Sequence, residues 1–296
     1  NDVLNIYRVE RIDLKAYNKL DYKKERIMKF FDKKNKILLN ELIKTDFKLR
    51  YQGSAIGYLW SILKPVLLFL VLYVVFVRFL RFGAGVPHFA VALLLGMTVW
   101  NFFSEVTNMG MISIVSRGDL MRKISFSKPI IIFSVTANAL INFGINLIVV
   151  LAFALVNGVR FTPKILFLPF LTVELILLSV GIAFLLATLF VKYRDLGPVW
   201  EVFLQAFMYA TPIIYPVTML FTNGVGVTWY ARILMLNPMA QIIQDLRYTL
   251  IDPVNITTWQ IVPMSVAWVP YILSPIIFMF GLTVFNKQSD KFAEII

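Results

Sequence analysis

Apolar residues fall into six long runs separated by short polar stretches, at about 57–79, 89–113, 129–156, 165–191, 198–220 and 259–285. Each run holds the roughly 20 mostly apolar residues that a helix needs to cross about 30 Å of hydrocarbon. The pattern therefore predicts an all-α membrane protein with six transmembrane helices, a domain spanning 57–285, and a short polar tail at 286–296. Residues 1–56 form a separate N-terminal region. Within it, about 36–50, Leu38, Leu39, Leu42, Ile43 and Phe47 recur at three- and four-residue spacing opposite Lys36, Asn40, Glu41, Lys44 and Lys48. That spacing predicts an amphipathic helix lying along the inner membrane interface, with packing on a protein surface as the alternative. Residues 1–35 have weaker periodicity and fit a short helix or a tail, with no function read for them. The connection between runs five and six is long and partly apolar. Asn237-Pro238 reads as an N-cap with Pro at the first helical position. After it, Met239, Ile242, Ile243, Leu246 and Leu250 form one face, with Gln241, Gln244, Asp245 and Arg247 opposite. With 229–235 before it, the connection predicts two short re-entrant or interfacial helices, each too short to span.

Composition agrees with a membrane protein and excludes several alternatives. The chain is 59% hydrophobic and only 16% charged, against about 25% charged for an average soluble domain, so it lacks the polar residues to cover a globule in water. Its net charge of +12 does not point to nucleic acid, because the basic residues are distributed by side. With the N-terminus inside, the basic N-terminal segment, Arg117, Arg122, Lys123, Lys128, Lys192, Arg194, Lys287 and Lys291 share one side. Only Arg78, Arg81, Arg160, Lys164, Arg232 and Arg247 fall on the other. This is the positive-inside pattern with both termini cytoplasmic. The polar first fifty residues do not have the pattern of a secretory signal peptide, and the absent initiator Met points to a trimmed start. The lack of Cys excludes a disulfide framework and thiol chemistry. The single His, His88 in a Pro-flanked loop, is a poor basis for a catalytic triad or a His-cluster metal site. No G-x-x-x-x-G-K-[ST] phosphate loop occurs, so this chain is not expected to hydrolyse ATP itself.

Polar residues within the runs supply the candidate chemistry. Thr98, Asn101, Glu105 and Asn108 share one helical face, and Ser134, Asn138, Asn142 and Asn146 another. Such stripes fit interhelical hydrogen bonding or the wall of a transport path. Lys64 and Glu105 lie at matched depths, roughly 10–12 Å from the inner end at 1.5 Å per residue. Opposite charges at equal depth predict a buried ion pair, whereas snorkelling would take Lys64 to the interface. In run five, Trp200, Phe203 and Phe207 follow at helical spacing beside Glu201 and Gln205, ahead of Thr211-Pro212-Ile213-Ile214-Tyr215-Pro216. An aromatic stripe is ordinarily packing or an interface belt. The adjoining Glu and Gln also suit a wet surface on which sugar rings stack.

Six motifs in order carry a family resemblance. They are Arg50-Tyr51-Gln52-Gly53-Ser54-Ala55-Ile56-Gly57-Tyr58-Leu59-Trp60 leading to Lys64-Pro65, Trp100-Asn101-Phe102-Phe103, Leu120-Met121-Arg122-Lys123, Tyr193-Arg194-Asp195-Leu196, Thr211 to Pro216, and Leu236-Asn237-Pro238. From about residue 37 to the last run, the chain resembles the permease subunits of ABC-2 type exporters that move lipid-linked polysaccharides, O-antigens or teichoic acids out of bacteria. One departure is Phe126-Ser127-Lys128-Pro129, where members often have Phe-Pro after the basic pair. The resemblance implies a homodimer in the bacterial plasma (inner) membrane, joined to two copies of a separate ABC ATPase. That partner would hold the ATP and Mg, leaving no cofactor in this chain. It also implies that Arg117, Asp119, Leu120, Arg122 and Lys123 dock on the ATPase as a coupling helix. The channel would be lined by Trp60, Tyr73, Trp200, Phe203, Phe207 and Tyr215, with the short outer helices as its gate. Lys44, Lys48 and Arg50 would meet the phosphates of the lipid-linked glycan beside the membrane lipids. An exporter of drugs or small lipids would share the coupling loop. An ion-coupled secondary transporter would require internal repeats that this sequence does not display. A membrane-embedded glycosyltransferase would require an acidic cluster, whereas Glu105, Glu174 and Glu201 lie at different depths.

Overall fold

The computed structural model describes residues 33–51, 57–81, 85–222 and 226–296. The expectation for residues 1–32, and the side chain of Arg50, lie outside the described part. The chain is an all-α membrane protein. Its described strands are a two-residue ladder, β1 (Phe221–Thr222) against β2 (Gly226–Val227).

Helix α1 (Lys33–Tyr51) lies against α5 (Pro129–Val156). Its Leu38, Leu39, Leu42, Ile43 and Phe47 are half-buried, while Lys36, Asn40, Glu41, Lys44 and Lys48 are exposed. The apolar stripe therefore meets protein. The first span is α2 (Trp60–Leu72), continued by π-helical turns at Tyr73–Phe79. The core is α3 (Phe89–Ser116), whose most apolar stretch is 78% buried against 6% for the first span. Around α3 pack α2, α5 and α6 (Leu168–Phe190). The last span, α11 (Val269–Gln288), packs along α6 through paired glycines: a Cβ on Gly281 would lie 2.2 Å from the Gly181 carbonyl oxygen. Close backbone approach through small residues is how helices associate where no hydrophobic drive separates protein from lipid. The short α4 (Gly118–Lys123) lies between α3 and α5, and α12 (Phe292–Ile295), which follows α11, touches it.

Five described helices are long and apolar enough to cross a membrane. The expected fifth span differs from a continuous 198–220 helix. α7 (Leu196–Ala210) has 15 residues, about 22 Å at 1.5 Å per residue, and stops where Thr211 turns extended. The cause is local: Pro212 disfavours helix at Thr211 and donates no amide, and Pro216 follows. The expected last span is also interrupted. α10 (Thr258–Ile261), closed by a Thr257/Gln260 capping box, is separated from α11 by a turn that includes Pro263.

The short helices of the fifth connection are α8 (Trp229–Met235) and α9 (Pro238–Leu250). Thr228 and Asn237 cap them through their side-chain oxygens, and Pro238 stands at the first position of α9. Their placement corrects the amphipathic expectation for α9. Gln241, Gln244, Asp245 and Arg247 are all buried, so this helix is not laid on a surface with its polar side outward. Its polar side faces polar groups of α6 and α11 and main-chain carbonyls. Burial has therefore selected hydrogen-bonding partners where water was expected.

Candidate functional site

Helix α7 packs on α3 and α6 by one narrow edge. Leu204 is its buried residue, while Val199, Glu201, Val202, Phe203, Gln205 and Tyr209 are exposed. Helical spacing sets Trp200, Phe203 and Phe207 in one row. Trp200 stacks on Phe203 at 5.0 Å and 17°, and Phe203 on Phe207 at 5.3 Å and 22°. The row is fixed at both sides: the Trp200 indole N–H donates to Thr107 Oγ1 at 3.2 Å, and Phe207 meets Trp100 at 5.8 Å. Near-parallel rings beside an exposed carboxylate and amide present flat apolar faces with hydrogen-bonding groups along their edge. Trp100 and Thr107 belong to this assembly although the sequence reading did not single them out as site residues. Neither lies on the run that carries the stripe. Tyr215 sits beyond the helix end, its hydroxyl donating to the Tyr209 carbonyl at 3.2 Å. Trp60 and Tyr73 are not brought to this row. Trp60 opens α2 and Tyr73 begins the π-helical turns that continue it, where Tyr73 meets Phe69 at 5.8 Å and the Arg78 guanidinium at 5.6 Å.

At the other end, α4 divides the five coupling candidates. Asp119, Arg122 and Lys123 are exposed, Leu120 is half-buried, and Arg122 reaches Asp119 at 3.3 Å. An open groove of about 260 Å³ runs beside them, lined by Arg122, Lys123, Ser125, Phe126 and Lys128 among others. Arg117 is placed differently. Its guanidinium is paired with Asp46 of α1 and donates to Ser134 Oγ of α5 at 2.9 Å, and only 15% of the side chain is exposed. It ties three elements together and is not presented to a partner. Lys128 likewise bonds the Ser289 carbonyl at the end of α11. On α1, Lys48 is exposed and the exposed Lys44 reaches Glu41 at 3.3 Å.

The structure does not pair Lys64 with Glu105. Glu105 accepts from Asn142 Nδ2 at 3.1 and 3.4 Å, and Lys64 is exposed. The physical reason is that α5 brings an amide to the carboxylate within the bundle, while Lys64 faces outward on α2. The two polar stripes thus meet each other, and Asn146 adds a bond to the Ser61 carbonyl at 3.3 Å.

A second polar centre joins α6, α9 and α11. Gln241 Nε2 donates to Glu174 Oε2 at 3.4 Å and to Asp245 Oδ2 at 2.8 Å. Tyr271 donates its hydroxyl to Asp245, and Trp259 donates to Tyr271 at 2.9 Å. Burial pushes the Asp245 carboxyl above the usual range, opposed by the bonds from Tyr271 and Gln241. Across α9, Arg247 is 1% exposed and, among the described residues, bonds only main-chain carbonyls. Burial lowers its guanidinium to about 9, which leaves it charged at neutral pH. Sequence reading placed Glu174 apart from other acids and Arg247 on a polar face. The signal for Glu174 was a lone acid inside an otherwise apolar run; Arg247, on a helix face with Gln241, Gln244 and Asp245, carried none of its own.

Residues 38–251 match the family described as ABC-2 type transporter. Two O-antigen export system permease proteins RfbA from Klebsiella pneumoniae are 26% and 25% identical over 262 residues, covering 88% of this chain and 95% of theirs. The O-antigen export system permease protein RfbA of Myxococcus xanthus is 30% identical over 207 residues, 69% of this chain and 76% of its own.

Proposed function

The chain belongs to the ABC-2 type transporter family, and from that premise we propose that it is the permease subunit of an ATP-driven exporter of lipid-linked polysaccharide. It works as a homodimer with two copies of a separate ATPase in the bacterial plasma membrane, with α1, α4 and α12 on the cytoplasmic side. The observation that carries the substrate class is the stacked row Trp200, Phe203 and Phe207 on a helix that is otherwise largely exposed within one chain. It is supported by similarity along 88% of the chain to permeases named for O-antigen export.

The residues divide the work. Lys44 and Lys48, on the exposed side of α1, attract the diphosphate of the lipid carrier as it reaches the inner leaflet. Asp119, Arg122 and Lys123 meet the ATPase, with Leu120 as the half-buried root of the same helix. Arg117 passes displacement of α4 to α1 and α5 through Asp46 and Ser134. Movement of α7 away from its counterpart exposes the aromatic row, along which sugar C–H faces stack while Glu201 and Gln205 exchange hydrogen bonds with hydroxyls. Stacking without a closed pocket holds no single sugar tightly, so the glycan slides. Trp60 and Tyr73 of one protomer line the path opposite α7 of its partner.

Translocation in proteoliposomes tests this reading. The chain is reconstituted with its ATPase, and transfer of lipid-linked polysaccharide to the lumen is followed beside ATP hydrolysis. Hydrolysis stimulated by the glycolipid, with transfer that depends on ATP, is expected. Stimulation by small amphipathic drugs and none by the glycolipid overturns the substrate class.

A further inference from the structure

Arg247 is the largest of the fully buried side chains, and its three partners among the described residues are main-chain carbonyls. Nε donates to Ala92 at 3.1 Å, Nη1 to Pro212 at 2.8 Å and Nη2 to Ile213 at 2.6 Å. Among the described residues no carboxylate pairs with it. A guanidinium in an apolar interior is held only where its donors are satisfied and negative potential surrounds it. The turn that follows α7 supplies acceptors: Thr211 is extended, so the Pro212 and Ile213 carbonyls stand outside the helix and bond the guanidinium, and Pro212 and Pro216 keep the chain from continuing as a helix there. Ala92, in the first turn of α3, anchors the same guanidinium to the most buried helix of the bundle. Space for it is made at Gly96, where a Cβ would stand 2.9 Å from Nη2. The opposite end of α9 grips the same segment, since Asn237 Nδ2 donates to Thr211 Oγ1 at 3.4 Å. Residues 211–214 are accordingly buried, while most of α7 is exposed.

We infer that Arg247 is the pivot pin of α7: it fixes the helix's C-terminal end to α3 and α9, so that the helix swings from its other end. The residue touches no substrate; it is a positioning residue for the helix that carries the aromatic row. The swing rests on the exporter reading above, whereas the pinning rests on the carbonyl cage alone. The placement explains why an arginine stands on a helix buried on every side. It also explains why α7 is largely exposed along its length while residues 211–214, which follow it, are buried.

The cysteine-free chain allows the pin to be measured directly with pairs of spin labels. One pair, Tyr209→Cys with Phe170→Cys, reports on the pinned end; the other, Val199→Cys with Leu189→Cys, reports on the opposite end, and all four positions are exposed. In the chain bound to its ATPase, trapping with ATP is expected to shift the Val199 pair and leave the Tyr209 pair in place. Arg247→Met is expected to broaden the Tyr209 distribution by about twofold without nucleotide, as local release of one segment does, and to leave the Val199 pair at rest unchanged. Gly96→Ala, which crowds the guanidinium and keeps its charge, is expected to broaden the same pair if Arg247→Met fails to fold. An unbroadened Tyr209 pair in the folded variant, or a wild-type Tyr209 pair that shifts as far as the Val199 pair, overturns the pin. A Val199 pair that ignores ATP counts against the exporter reading, and the pin is then judged by the Tyr209 width.

Discussion

Replacing Gly281 by Ala forces α6 and α11 apart. The new methyl would lie 2.2 Å from the Gly181 carbonyl oxygen, 3.0 Å from its carbon and 3.3 Å from its Cα. The obstruction is backbone on a packed helix, so no rotamer change relieves it. Ordinary contact needs roughly 3.4 Å, which requires the helices to separate by about 1 Å at this crossing. A gap of that size forfeits a quarter to a half of each dispersion contact around it. The contacts at risk include the Phe184–Phe285 pair at 4.9 Å and the Phe184–Phe278 pair at 6.3 Å. Overpacking costs about 1–3 kcal/mol, and a backbone obstruction belongs at the top of that range. At about 2–4 °C per kcal/mol for a chain near this size, the melting temperature in detergent falls by roughly 6–12 °C. Gly144→Ala is the internal control, since a Cβ there meets nothing within 4 Å. It removes only the helix cost of Gly and is expected to leave the melt unchanged or raise it slightly. Thermal unfolding followed by fluorescence-detected size exclusion compares the two. Equal melting of Gly281→Ala and Gly144→Ala would refute the close-packed crossing.

Three further outcomes follow from the same geometry. Arg117→Met and Asp46→Ala should each destabilise the chain by about 1–3 kcal/mol and fall short of additivity in the double variant, because each leaves a partly buried charge behind; Asp119→Ala and Arg122→Ala should stay within about 0.5 kcal/mol. Additive losses in the thermal cycle would show that the tie is absent. Phe203→Ala should slow translocation while moving the melt little, since Phe203 is 47% exposed within one chain; unchanged transfer in proteoliposomes counts against the aromatic track. Glu174→Gln should be neutral or stabilising by up to about 1–3 kcal/mol, because Glu174 and Asp245 share one amide group of Gln241 in a buried setting. A large loss of stability would mean that the Glu174 carboxylate is an indispensable acceptor.

The legible part of the fold was whatever depends on runs of neighbours. A run such as 129–156 crosses apolar solvent as a helix because nothing else satisfies its amides there, and the observed α5 has those bounds. The stripe of α1 and the row on α7 were legible because 3.6-residue periodicity places side chains on one face wherever the helix goes. The row's flanking partners, Trp100 and Thr107, were not, since they come from α3 and their approach is set by packing. Breaks were underread where proline stood inside an apolar run: Pro212 and Pro263 interrupt helices that hydropathy alone would continue.

By itself the sequence determined that this chain lives in a membrane, where its long apolar runs lie, and which faces are aromatic or basic. These are properties of composition and local spacing, and the solvent enforces them. Only the tertiary structure decided which partner each isolated charge finds. Glu105 took Asn142 in place of Lys64, Arg117 took Asp46, and Arg247 took three carbonyls. A charge in an apolar interior must be satisfied by whatever donor or acceptor the packing brings within about 3 Å, and that distance is not written in spacing along the chain.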